Sequence, residues 1–204
     1  MSETQFLIGR NGLDLQDDFY PDDLPSEWRF DYYSTLFKAL SLPLDTDEDL
    51  EQIFEEIQDS KEESEESEEG FELILSIQNS QLINTKKLKK LLDSVADYTQ
   101  HFTLFCEVEK PPTKEIMQIL KGYQICFQSS KALKIGLQEV VVAGQYLSFN
   151  RQPVLYASQV LDEKQIRNYL ETVANVKTKT ILICQFAESE TLNKVRIIAE
   201  LLGY

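Results

Sequence analysis

The sequence predicts an α/β protein of alternating strands and helices. Two observations carry this: short apolar runs recur along the chain, and most are followed by a segment whose apolar residues return every three or four positions. Repetition of that kind builds either an open doubly wound sheet or a closed (β/α) barrel. No G-x-G-x-x-G follows the first strand and no G-x-x-x-x-G-K-[ST] occurs anywhere, which removes support from nucleotide-type doubly wound folds. The length of 204 residues suits a barrel at the short end of that fold's range.

Phe6-Leu7-Ile8-Gly9 reads as the first strand, and Trp28, Tyr32, Tyr33, Leu36, Phe37 and Leu40 mark a helix from about Glu27. Ala39 to Leu44 is a second strand or a loop. Thr46 caps a helix that buries Leu50, Ile53, Phe54 and Ile57. Phe71 to Ile77 is a strand, and Thr85 opens a helix with Leu88, Leu91, Leu92 and Val95 on one face. His101 to Val108 is the next strand, Thr113 caps a short helix that stops at Gly122, and Gln124 to Gln128 is strand again. Leu137 to Ala143 and Val154 to Ala157 read as strands with no clear helix between them, the connection being punctuated by Gly144, Asn150 and Pro153. Asp162 begins a helix, Thr180 to Phe186 is a continuous apolar run suited to a buried parallel strand, and a helix from Ser189 closes the fold.

The net charge of −15 is local: Asp45 to Glu69 carries fourteen acids and one lysine, leaving −2 for the other residues. Residues 59–70 hold no apolar side chain before Gly70 and read as a disordered acidic insertion in a single domain spanning 1–204. The near-neutral body offers no basic face for nucleic acid. No run is long and apolar enough for a membrane span, and Met1-Ser2-Glu3-Thr4-Gln5 lacks the basic then apolar opening of a signal region, so a cytoplasmic location is the expectation. Three widely spaced cysteines (Cys106, Cys126 and Cys184) without a C-x-x-C pair suggest buried reduced thiols, with neither a disulfide framework nor a metal site.

Two stretches resemble the YecE-like family, TIM-barrel proteins grouped as a domain of unknown function. Ile8-Gly9-Arg10-Asn11-Gly12-Leu13, Phe19-Tyr20-Pro21, Leu24, Trp28, Tyr32-Tyr33 and Phe37 follow that family's opening I-G-x-x-G-W, F-Y-P and helix, with Leu13 replacing its tryptophan. Leu155-Tyr156 through Glu163, Ile181 to Phe186 and Val195 to Gly203 resemble its last strand, helix, strand and helix. Leu75 to Leu82 and Cys106-Glu107-Val108-Glu109 are weaker matches, with Glu109 where arginine is expected. About two-thirds of the chain is covered. The resemblance implies a TIM-like (β/α) barrel, shortened or irregular and missing one β/α unit, with the acidic tract standing where the third strand and its helix would be. Residues expected at the barrel mouth are changed, as in Tyr156-Ala157-Ser158 and Phe186-Ala187-Glu188, and the family supplies no established reaction.

In a barrel the site lies at the C-terminal ends of the strands. Those ends make Arg10, Asn11, Gln78, Gln128, Tyr156 and Gln185 the candidate binding residues. Glu107 and Glu109, two apart, fall on one face if both are strand and, with Arg10, are the candidate catalytic residues; the alternative is that they stand solvated in a loop. Arg10 with Lys131 and Lys134 offers a small anion a cationic rim, or a merely solvated one. His101, the sole histidine, precedes its strand and falls at the opposite end, which removes most nucleophile and base pairings and every multi-histidine metal site. The sequence thus points to a cytosolic, non-catalytic binding or interaction module, a pseudoenzyme without cofactor or metal, that takes a protein partner or a small polar ligand and contacts neither nucleic acid nor membrane. The alternative is a carboxylate-dependent hydrolase or lyase, with or without a metal, whose site lies at the C-terminal ends of the barrel strands.

Overall fold

The structure, a computed structural model, describes residues 6–15, 19–63, 70–158, 162–174, 176 and 179–202. Its centre is one nine-stranded sheet, and seven neighbouring strands in it run parallel. In spatial order these are β8 (Val154–Ala157), β9 (Thr180–Cys184), β1 (Phe6–Asn11), β2 (Ala39–Pro43), β3 (Glu72–Ser76), β4 (Phe102–Glu107) and β5 (Ile125–Ser129). Nearly every residue of these strands is buried, as expected for strands covered on both faces.

Among the described residues six helices lie between them, α1 (Arg29–Leu36), α2 (Leu50–Glu63), α3 (Asn79–Leu82), α4 (Thr85–Asp93), α5 (Lys114–Ile119) and α6 (Glu163–Ala174), and a seventh, α7 (Ser189–Leu201), follows β9. Four of them start at a side-chain cap. Asp49 Oδ1 accepts the Gln52 N–H (3.1 Å), Asn84 Oδ1 that of Lys87 (3.1 Å), Thr113 Oγ1 that of Ile116 (3.3 Å) and Asp162 Oδ1 that of Gln165 (2.7 Å). The first helix is preceded by a 3₁₀ turn, Ser26–Trp28, which leaves Trp28 60% exposed rather than on the buried stripe.

The remaining strands correct the expected TIM-like barrel. After β5 the chain forms a hairpin, β6 (Gln138–Val142) and β7 (Gln145–Phe149), and β7 pairs antiparallel with β5. No helix separates β5 from β6 or β7 from β8. The fold is therefore a nearly closed, mixed nine-stranded sheet, not a repeat of β/α units. The reason is local: Ala143 (φ 49°) and Gly144 (φ 79°) form a two-residue turn with both residues left-handed, the turn that matches the twist of paired antiparallel strands. The chain thus folds back before any helix can form. The departure also lies elsewhere than expected. β2, α2 and β3 are complete and β3 pairs with both β2 and β4, so the acidic tract replaces no strand. α2 runs to Glu63, past the expected start of the insertion at Asp59; residues 64–69 lie outside the described residues.

Where β5 faces β8 the sheet lacks a backbone ladder, and side chains supply one. Gln128 Nε2 donates to the Tyr156 carbonyl (3.2 Å) while Gln128 Oε1 accepts the Tyr156 N–H (2.8 Å). Cys126 Sγ accepts the Val154 N–H (3.3 Å) and donates to the Val154 carbonyl (3.5 Å). A carboxamide carries the same donor and acceptor as a peptide unit, so Gln128 pairs with β8 as a strand residue would. On the other side of the sheet the backbones of β1 and β2 come very close at Gly9, where a Cβ would stand 1.9 Å from the Ala39 carbonyl oxygen.

Candidate functional site

Parallel strands deliver their C-terminal ends to one end of the sheet. There they enclose a bowl of about 610 Å³ whose floor is aromatic. Tyr156 of β8 stacks on Phe105 of β4 with ring centres 3.8 Å apart and planes 7° from parallel. The Tyr156 hydroxyl is held by Ser41 of β2. Burial pushes the phenol well above its usual range, opposed by hydrogen bonds from Ser41 and Ser76. It is a fixed, neutral floor group.

Five further candidates line the same bowl. Asn11 comes from the end of β1, Gln78 from the turn before α3, Glu107 from the end of β4, Glu109 from the loop beyond it, and Gln185 from just after β9. Glu107 and Glu109 are both exposed, and neither has a hydrogen-bond or ion-pair partner among the described residues. They share a wall although only Glu107 is strand. The charged side chains that line this bowl among the described residues are Glu107 and Glu109. Among the described residues no three His, Cys, Asp or Glu side chains converge on a point that could hold a metal ion.

Two candidates stand elsewhere. Gln128 is buried and committed to the β5–β8 seam. Arg10 is buried on the other face of β1, since alternation sends Asn11 into the mouth and its neighbour toward the helices. Its backbone N–H donates to the Tyr33 hydroxyl of α1 (3.1 Å). The trio Glu107, Glu109 and Arg10 is therefore not assembled at one place. Arg10 is also separated from Lys131 and Lys134, which follow β5, by β2, β3 and β4 one way round the sheet and by β9 and β8 the other.

Gln145 lines the bowl and was not a candidate, because it opens the unrecognised strand β7. Phe105 was within reach of sequence reasoning, being two residues before Glu107 on the same strand face.

The opposite end of the sheet is closed by an ionic cluster. The Glu72 carboxylate, 8% exposed, meets Lys179 Nζ (3.3 Å) and Arg151 Nη2 (3.5 Å), and Gln152 Nε2 donates to its second oxygen (2.9 Å). Arg151 also donates to Gln124. His101 lies at this end, just before β4, with Nε2 3.0 Å from Gln58 Nε2. The three cysteines are free and buried, and burial raises all three thiols, Cys126 and Cys184 to about 12.

Comparisons with protein-family models, with curated proteins and with solved structures gave no match to this chain. No helix among the described residues is long and apolar enough to cross a membrane.

Proposed function

We propose that this chain is a non-catalytic, cytosolic binding module whose mouth takes a small, hydroxylated ligand bearing positive charge. The observation that carries this reading is the bowl itself: two carboxylates and the carboxamides of Asn11, Gln145 and Gln185 surround an aromatic floor, and among the described residues the carboxylates are unpaired and no cation lines the wall. Amides and hydroxyls exchange hydrogen bonds with ligand hydroxyl groups, the carboxylates attract an ammonium, and the floor offers apolar surface to a ring. Both carboxylates are exposed and, among the described residues, neither has a hydrogen-bond or ion-pair partner that would divide acid and base roles between them, which favours binding over catalysis.

Glucosamine and glucose are probes that differ in the ammonium group. Glucosamine is expected to raise the melting temperature saturably and glucose to do so less, because a ligand bound only by the folded state stabilises it. In the double variant E107Q/E109Q the two sugars should behave alike. Equal, non-saturating responses to both sugars in the wild-type chain would refute the reading.

A further inference from the structure

A second polar cluster lies behind β1, on its helix side. Arg10 is 6% exposed, and its Nε and Nη1 are buried with no hydrogen-bond partner among the described residues. Nη2 stands 3.6 Å from Asp14 Oδ1, beyond hydrogen-bond length, and the Asp14 side chain is 81% exposed. The Tyr20 hydroxyl is likewise buried and unpartnered. The nearby Tyr33 hydroxyl is not available: it donates to the Ala39 carbonyl (2.8 Å) and accepts from the Arg10 backbone. Arg29 adds a second cation, its guanidinium carbon 5.3 Å from the centre of the Tyr20 ring. Burial pushes the Tyr20 phenol up, and among the described residues Arg10 and Arg29 oppose that shift while Glu48 and Asp14 add to it.

A guanidinium cannot shed its proton to escape burial, and buried charges are ordinarily paired and hydrogen-bonded. Here two orphaned donor groups, one cationic and one phenolic, lie close enough for the arginine charge to act on the phenol, and among the described residues the carboxylate that meets Arg10 is the exposed one of Asp14. We infer that Arg10 and Tyr20 form a receptor for a small oxyanion, a carboxylate or phosphate group, that enters beside Asp14 and fills these vacant donors. The planar fork of arginine suits either oxyanion, and the tyrosine O–H adds a third donor. This site is separate from the mouth, because Arg10 does not line the bowl.

The test is the melting temperature of the full chain at constant ionic strength in sodium phosphate, sodium acetate or sodium chloride. A saturable rise with phosphate identifies a phosphoryl site and one with acetate a carboxylate site; either supports the inference. Phosphate also stabilises proteins generally by exclusion from their surface, so the variants decide. Y20F should weaken the apparent affinity by about tenfold, the order expected for one hydrogen bond to a charged group. R10K keeps the charge but loses the fork and should bind more weakly than wild type, R10M should not respond beyond chloride, and E107Q/E109Q should respond as wild type. If R10M fails to fold, Y20F and R10K carry the comparison. No rise beyond chloride in the wild-type chain, or an equal rise in Y20F and R10K, would overturn the site.

Discussion

Glu72 and Glu107 are the same residue type at opposite ends of one sheet, and they are used in opposite ways. Glu72 is buried and its carboxylate is taken up by Lys179, Arg151 and Gln152. Glu107 is exposed, lines a bowl and has no partner among the described residues. The carboxamides repeat the contrast: those of Gln128 and Gln152 are committed to Tyr156 and Glu72, whereas those of Asn11, Gln145 and Gln185 have no partner among the described residues. Polar groups at the lower end and along the seam hold the fold together. Those at the mouth remain available for something else.

The sharpest way to break this contrast is at Glu72. E72A takes a buried carboxylate away from Gln152 and from the partly exposed Lys179 and Arg151, and losing these hydrogen bonds to a charged group should cost about 3 kcal/mol, seen as a melting temperature lower by roughly 6–12 °C for a domain of this size. At the seam, Q128L leaves the Tyr156 N–H and carbonyl buried without partners. Denaturant titration should show a loss of about 2 kcal/mol, the order of the penalty for stranded backbone groups.

The thiols give a pH dependence. Cys126 and Cys184 ionise near 12 in the fold against an ordinary value of 9.0, with burial as the main cause. The unfolded chain therefore loses these protons first as pH rises, and stability should decline progressively above about pH 9. Below that the thiols contribute no pH dependence. A thiol reagent at pH 7.5 should label no cysteine in the native protein and all three in denaturant. The smallest effect belongs to the mouth: E107Q and E109Q should leave the melting temperature of the unliganded protein unchanged, because exposed charges without partners hold nothing in place.

Much of this arrangement was legible in the sequence. Apolar runs such as Ile74-Leu75 and Thr180 to Cys184 announce strands buried on both faces, and the ends of parallel strands must gather at one end, which is why Asn11, Gln78, Glu107, Glu109, Tyr156 and Gln185 share a bowl. What escaped was long-range or depended on one residue of register. Arg10 turns to the helices because it is one position from Asn11. Gln138 to Val142 and Gln145 to Phe149 mix polar and apolar residues, and their antiparallel return rests on the left-handed pair Ala143-Gly144, so the hairpin and the seam it leaves were hidden. The pairing of Gln128 with Tyr156 spans 28 residues and mimics a backbone ladder that no local pattern records.

The central claim is that the free polar groups of the mouth bind a ligand while their counterparts below do not. Side-chain amide signals of a nitrogen-15 labelled sample test it directly during titration with glucosamine. Signals of Asn11, Gln145 and Gln185 should shift saturably with one common affinity while those of Gln128 and Gln152 stay fixed. Fixed signals at Asn11, Gln145 and Gln185, or saturable shifts confined to Gln128 and Gln152, would contradict it.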